Sequence, residues 1–406
     1  MTSAKGRVLL TTSNYPRWEG DSTTPFVLNL AKDLQQLGWE VDVLAPHTPG
    51  AKKKEIIEGV NVERFQYLWP EKAQTVCYQG GALINLRKNK SNFLKLPALV
   101  FFELLHIVLK LRTGHYDVLH SHWILPQGFT GVLAAKLFSI PHVITVHGGD
   151  VFVLKGKILN KFKQFSLKYC NAITVNSLAT KAAVEAIITN PKQLNLIPMG
   201  VAIKETGDIA KLKEKHTKNQ SHLLIFVGRL VEEKGVEDFI RSIDIVTCKR
   251  PDVHALIIGE GQDKEKFESL CRELVLDKNI TFTGWVPPEQ IHDYLSIADV
   301  FIGPTRISEA QGLTFLEAMA AKTPVIATKI GGITDYIKHG ETGFLVNERA
   351  PEEIAESIEY IFNEPQAFAK IKDNAYKMVL TKYSREVSAN SFSELYTNLI
   401  KLQYIK

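Results

Sequence analysis

The 406-residue sequence predicts an α/β chain of two doubly wound domains in succession. Three observations predict it. Short apolar runs alternate with helix-period segments along the first half, a polar lysine-rich stretch interrupts the alternation after residue 200, and the same alternation then restarts. Short continuous apolar strands between helices mark a parallel sheet covered on both faces. Composition agrees, since 45% apolar and 23% charged residues are typical of a globular chain with material for large cores. The length suggests two to three domains.

In the first domain, placed over 1–200, Arg7–Thr12 reads as a strand. A helix follows from Pro25 to Leu37, ended by Gly38. Further strands are expected at Val41–Leu44, Asp117–His120, His142–Val146, Ala172–Val175 and Leu194–Ile197, with a helix over Gly128–Phe138. Lys211–Ser221 has many lysines and few large apolar residues, so it reads as a linker. The second domain, placed over 201–383, restarts at Leu223–Val227 and continues with strands at Ala255–Ile258, Ile280–Phe282, Val300–Ile302 and Pro324–Ala327. A last helix over 384–406 is expected to pack back on the first domain. In such sheets ligands bind beyond the carboxyl ends of the strands, and a cleft between domains is a common site.

A net charge of +5 is small for this length and gives no footprint for nucleic acid. Cys77, Cys170, Cys248 and Cys271 are far apart and form no CxxC pair, which suits reduced thiols in a cytoplasmic protein. The N-terminal apolar run Val8-Leu9-Leu10 is too short for a signal peptide core. The basic segment Arg87 to Lys95 leads into the apolar run Phe93–Leu111. Lys95, Glu103, His106 and Lys110 interrupt that run, so a spanning helix is not expected. The apolar part is expected to pack into the first domain. The basic part offers a peripheral contact with an anionic membrane, on the inner face of the cell.

The richest chemistry lies in Ser308–Ala320. Leu313–Ala321 reads as a helix on which Leu313, Leu316, Glu317 and Ala320 share one face. An ionised carboxylate there is costly unless a polar group meets it. Glu309 sits just before the helix, near amides with no intrahelical partner, where anions bind. Earlier in the same domain a strand ends at Gly228, and Arg229 and Lys234 follow before a helix that starts near Gly235. Arginine forks onto phosphate oxygens and lysine adds a mobile point charge. Two carboxylates for hydroxyls and two cations for a diphosphate suit a nucleotide sugar. The alternative is surface pairing of Arg229 and Lys234 with Glu232 or Glu233, and a structural partner for Glu317.

The second half resembles the retaining glycosyltransferases of family 4 (glycosyl transferases group 1), of GT-B architecture. The matching pieces run in order from Gly228 to Val346. They are Gly228-Arg229-Leu230 with Lys234-Gly235, Gly259-Glu260-Gly261, Phe282–Val286, the Glu-x7-Glu element Glu309 to Glu317, Pro324–Ala327, Gly331-Gly332 and Gly340–Val346. The resemblance implies two Rossmann-like doubly wound domains facing a central cleft, with the donor on the second and the acceptor on the first. It implies that Arg229 and Lys234, with the Gly228 turn, grip the donor diphosphate. Glu309 would take sugar hydroxyls, Gly312 and Leu313 would offer amides, Glu317 would bind the ribose, and the backbone at Gly284 and Val286 would meet the base. In Val146-His147-Gly148-Gly149-Asp150, His147 would contact the donor sugar near the reacting carbon, and Asp150 would orient His147 or an acceptor hydroxyl.

The sequence departs from the family at three places. A single Gly20 stands where a Gly-Gly pair is usual, Ala310-Gln311 replaces Gly-Phe, and Met199-Gly200 replaces Asn-Gly. Gln311 is therefore expected to add an amide beside the donor sugar. The second histidine group, His120-Ser121-His122-Trp123, lacks the i,i+4 register of a zinc site. No Asp-x-Asp pair occurs, so neither a metal nor another cofactor is expected. The resemblance implies transfer of a hexose-type sugar from a UDP or GDP sugar to an acceptor hydroxyl, with retention. The acceptor would be a lipid-linked glycan, a polysaccharide or a small molecule. The alternatives are a non-catalytic sugar-nucleotide-binding protein and a nucleotide-sugar epimerase on the same architecture.

Overall fold

A computed structural model describes residues 5–21, 23–78, 80–189, 194–205, 207–217 and 222–404. The chain forms two compact units, Met1–Gly200 with Arg385–Lys406, and Val201–Ser384.

The N-terminal unit is built on β1 (Gly6–Thr11), β2 (Trp39–Pro46), β3 (Lys54–Ile57), β4 (Val60–Phe65), β5 (Val118–His122), β6 (His142–Val146), β7 (Ala172–Val175) and β8 (Leu194–Leu196). They form one sheet in the order β3-β4-β2-β1-β5-β6-β7-β8. Every pair is parallel except β3 with β4. All residues of β5, β6 and β7 are buried, which is why these strands read as unbroken apolar or uncharged runs rather than alternating ones. The β3–β4 hairpin has no counterpart in the sequence reading. Its two turn residues, Glu58 and Gly59, both have positive φ (46° and 87°), as a tight hairpin turn needs. Glu58 stands where Asn or Asp usually signals that turn. The C-terminal helix Arg385–Tyr404 belongs to this unit. Arg385 forks onto Asp33 (2.8 and 2.5 Å), and Trp39 Nε1 donates to Ser393 Oγ at 2.9 Å.

The C-terminal unit is built on β9 (His222–Val227), β10 (Val253–Ile258), β11 (Ile280–Gly284), β12 (Val300–Gly303), β13 (Val325–Thr328) and β14 (Phe344–Val346). Its sheet is parallel throughout, in the order β11-β10-β9-β12-β13-β14. The lysine-rich stretch is not a linker here. Ala210–Thr217 is a helix of this unit, with Leu212 packed on the core and His216 buried, while residues 218–221 lie outside the described residues. Leu212 and the buried ring of His216 dock it among the lysine stems.

Each sheet has a switch point, where the strand order reverses direction. In the N-terminal unit it lies between β1 and β5, and in the C-terminal unit between β9 and β12. Loops leaving neighbouring strands diverge there and open a crevice at the carboxyl edge.

Candidate active site

At the C-terminal switch point the chain leaves β9 through Gly228-Arg229 and leaves β12 towards Glu309. Gly235 draws the two loops together. Its φ is +70°, and a Cβ there would lie 1.8 Å from the Pro304 carbonyl oxygen, so only glycine lets the backbones approach. Arg306 N–H donates to the Glu233 carbonyl at 2.8 Å and closes the contact. The result sets Lys234 Nζ against Glu309 Oε1 in a short, partly buried ion pair. Arg306 forks onto Asp238 at 2.8 and 2.6 Å, which ties up that cation. Arg229, by contrast, is exposed and its guanidinium has no partner among the described residues.

Gly312, at φ +73°, turns the chain into the helix Leu313–Ala320. The loop before it is fixed by the Tyr336 hydroxyl, which donates to the carbonyl oxygens of Gln311 and Gly312 at 2.7 and 3.0 Å, and by Gly332 N–H donating to the Glu309 carbonyl at 2.8 Å. No side chain caps this helix, so its first amides face outward at the crevice. Glu317 is partly buried on the helix, and its carboxylate accepts no hydrogen bond and makes no ion pair among the described residues. Burial raises its pKa, and Lys204 pulls the other way. Gly284 ends β11 and its carbonyl accepts from Gly259 N–H at 2.9 Å. Val286 is buried in the core, so only its backbone is available, and Trp285 beside it is exposed. Gln311, expected to add an amide beside the donor sugar, is 4% exposed and lies in the loop that Tyr336 pins through its backbone carbonyl.

At the N-terminal switch point His122 ends β5, and His147 follows the end of the neighbouring β6. The rings of His120 and His122 stack at 4.5 Å, and those of His122 and His147 at 5.1 Å. His120 bonds the Tyr396 hydroxyl through Nδ1 and Thr145 Oγ1 through Nε2, both at 2.6 Å. His122 Nδ1 lies 2.9 Å from His147 Nε2. His122 Nε2 is buried without a partner, so a proton there would be an orphan donor. The network therefore places the His122 proton on Nδ1, donated to His147 Nε2, and leaves His147 protonated on Nδ1. Burial pulls the His147 pKa down to about 3 and those of His120 and His122 well below the usual value, so all three are neutral near pH 7.

Phe26 and Trp123 pack on the His147 ring at 5.0 and 4.9 Å. Trp123 holds φ 77° and ψ 147°, a conformation costing a non-glycine residue about 1–3 kcal/mol. Its N–H donates to the Thr145 carbonyl at 2.9 Å and its carbonyl accepts from Gly128 N–H at 3.1 Å, so the surroundings fix it.

Asp150 has a different place from the one expected. Its oxygens accept from Gly148 N–H (3.0 Å) and Ile124 N–H (2.9 Å), not from His147. It is 1% exposed, and burial pushes its carboxyl up to about 6. It braces the backbone of the two loops that carry His122 and His147. Gly20 lies in the 12–21 loop at φ 82° with open space around it, and Ser22 of the same loop lies outside the described residues. Arg17 ties that loop together by donating to Asp21 from its N–H and Nε, each at 2.8 Å.

Among the described residues no group of three or more His, Cys, Asp or Glu is arranged to hold a metal ion. Phe26, Tyr336 and Tyr396 were not legible as site residues. Each reaches its partner across a long stretch of chain, and no local spacing signals such a contact.

Two family models match the chain. "Glycosyltransferase Family 4" covers residues 24–205 and "Glycosyl transferases group 1" covers residues 208–378. This chain belongs to the family 4 glycosyltransferases of GT-B architecture. Its activity is glycosyl transfer. The α-monoglucosyldiacylglycerol synthase of Acholeplasma laidlawii is 28% identical over 395 residues, 92% of each chain. Among solved structures, sucrose-phosphate synthase from Thermosynechococcus elongatus superposes with a TM-score of 0.79 at 21% identity, over 98% of this chain and all of that one. Anabaena HepE in complex with UDP and glucose gives 0.74 at 17% identity, over 97% and 100%. At these identities the two structures speak for the fold.

Proposed function

We propose that the protein moves a hexose-type sugar from a nucleoside diphosphate sugar, of UDP or GDP type, to an acceptor hydroxyl with retention at the anomeric carbon, in glycan, glycolipid or polysaccharide synthesis. The observation that carries this reading is the charge pattern at the β9/β12 switch point. An unpaired Arg229, a Lys234–Glu309 pair, an uncapped helix start and an unpartnered Glu317 gather in one unit. Arg229, the uncapped amides and Lys234 receive the diphosphate, and Glu317 receives the ribose hydroxyls. As phosphate oxygens reach Lys234, they share its charge, and Glu309 is left to accept bonds from the sugar.

The anomeric C–O bond to phosphate then breaks. The acceptor oxygen bonds to the same face of that carbon, and its proton passes to the departing phosphate oxygen. The cations and amides stabilise the charge that develops on the leaving group, so the step needs no metal in this reading. His147, neutral and fixed as an Nδ1–H donor, contributes a hydrogen bond near the reacting carbon. None of the four cysteines is joined in a disulfide, which suits a reducing, cytoplasmic setting.

The deciding experiment incubates the protein with a panel of UDP and GDP sugars and hydroxyl acceptors, with and without chelator, and reads the product's anomeric centre by NMR. The expected product keeps the donor's anomeric configuration and forms at the same rate with chelator. An inverted product ends the retaining assignment. Loss of turnover that one added metal restores ends the metal-free step. Binding with neither transfer nor hydrolysis across the panel leaves a sugar-nucleotide-binding protein.

A further inference from the structure

The helix Leu96–Gly114 is apolar nearly all round, which a helix covered on one face only does not require. Leu99, Glu103, Ile107 and Leu111, four residues apart, face the core and are buried. The opposite stripe is bare: Phe101 is 61% exposed, Leu105 38% and Leu109 48%. The short turn before the helix, Lys90–Lys95, adds Phe93 and Leu94 at 54% and 85% exposure. Trp69, 64% exposed, meets Phe102 edge-on at 5.9 Å beside the stripe. The apolar part of this segment is thus only half packed into its domain, contrary to the expectation from sequence.

Charge frames the stripe at both ends. Arg87, Lys88 and Lys90 precede it and Arg112 follows it, all four exposed and without an ion pair among the described residues. Between Lys95 and Lys110 the ionisable residues are Glu103, buried on the far side, and His106, whose Nδ1 lies 2.8 Å from the Phe102 carbonyl. The outward face therefore carries no charge over about 18 Å from Pro97 to Leu109.

We propose that this face docks on an anionic lipid bilayer. Leu94, Phe101, Leu105 and Leu109 enter the headgroup–acyl boundary with the helix lying in the plane of the membrane, while Arg87, Lys88, Lys90 and Arg112 meet lipid phosphates. Trp69 sits where interfacial aromatics prefer to be. A second copy of this chain fits the face less well. Side by side in parallel, two copies set Arg87, Lys88 and Lys90 against themselves, and antiparallel they set them against Arg112. No described helix is long and apolar enough to cross a membrane, so the contact is peripheral. The docking rests on the N-terminal unit and does not depend on the donor reading. Its consequence for that reading is an acceptor presented at the bilayer surface.

Co-sedimentation of the full chain with vesicles tests it. Binding to phosphatidylcholine vesicles that contain phosphatidylglycerol is expected, with little binding to phosphatidylcholine alone. Arg87→Ala with Lys88→Ala and Lys90→Ala should lower the partition about a hundredfold, each cation being worth about fivefold. Phe101→Ser with Leu105→Ser should lower it about tenfold or more. Each set is paired with a thermal melt and nucleoside diphosphate binding, and the set that keeps both is the one read. Absence of binding to the anionic vesicles overturns the proposal, as does binding that neither set weakens. Dimers that the apolar variant dissociates, without vesicle binding, would make the face an interface between copies and overturn it too. Transfer to a soluble acceptor without vesicles reports the donor reading separately.

Discussion

Around His147 the imidazoles are neutral, and they and the buried Asp150 carboxyl are bonded to one another, to hydroxyls or to backbone. Around Glu309 the titratable groups are charged, and Arg229 and Glu317 lack any partner among the described residues. The same architectural position, the carboxyl edge at a switch point, is thus filled in two ways. The N-terminal edge has met its desolvation cost on folding and offers a fixed shape with one hydrogen-bond donor. The C-terminal edge keeps a field that a charged ligand must complete. Changes at the first should read out as stability and geometry, and changes at the second as affinity and rate.

The sharpest way to break this comparison is to remove the field. Arg229→Ala with Lys234→Ala takes away both cations and leaves Glu309 unpaired. Turnover should fall about 10²–10³-fold, the scale of losing preorganised charge at a leaving group. The melting temperature should change little, because an exposed guanidinium and a partly exposed ion pair contribute little to stability. Near wild-type turnover would remove the diphosphate assignment.

The two edges were also unequally legible. The C-terminal one could be read from the chain because its parts are local. A strand end followed by two cations, and a glycine turn followed by a helix with a glutamate on its inner face, are short patterns with a physical cause. The N-terminal edge is assembled across distance. Tyr396 comes from the last helix and Phe26 from the first, and Asp150 reaches Ile124 on another strand's loop. The family resemblance brought His147 and Asp150 into view and gave Asp150 either His147 or an acceptor hydroxyl to orient, whereas its oxygens take backbone amides, since sequence adjacency does not say which way a buried carboxylate points. The linker failed for a related reason, because one leucine and one buried histidine among lysines dock a helix whose composition reads as solvated.

The dry character of the N-terminal edge has its own test in Glu103. It is fully buried, accepts from Gln127 Nε2 (2.8 Å) and Thr130 Oγ1 (3.1 Å), and so braces the loop after β5 that follows Trp123. Burial raises its pKa from 4.5 to about 7. Because the folded value is the higher one, its contribution to stability is fully present below about pH 4.5 and is lost as pH rises through 7. The loss amounts to about 3 kcal/mol. Glu103→Gln keeps the shape and stays neutral, and its amide can donate to Gln127 Oε1, which now lacks a partner, if that amide turns over. The variant's stability relative to wild type should therefore rise between pH 4.5 and 7 in denaturant titrations. A difference independent of pH would show that Glu103 pays no such penalty.

Glu317 gives the smallest effect and the finest test, because it sits in the charged edge yet shares the burial of the dry one. Its carboxylate accepts no hydrogen bond and makes no ion pair among the described residues, Lys204 acting on it only through its field, so its bonds are free for a ligand. Glu317→Gln should weaken binding of the bare nucleoside diphosphate by about 1–3 kcal/mol, the worth of charge-assisted bonds to ribose hydroxyls. Burial raises the Glu317 pKa, so its protonation begins above the usual carboxylate range as pH falls. Wild-type affinity should then drop more steeply on acidification than that of Glu317→Gln, the fall common to both coming from protonation of the ligand's terminal phosphate. Calorimetric titrations of both proteins over that range decide the point. Equal affinities at pH 8 would take Glu317 out of the ribose role. Parallel pH profiles would place the titrating group elsewhere, and the charged edge would then keep only its cations and Glu309 as ligand-binding charges.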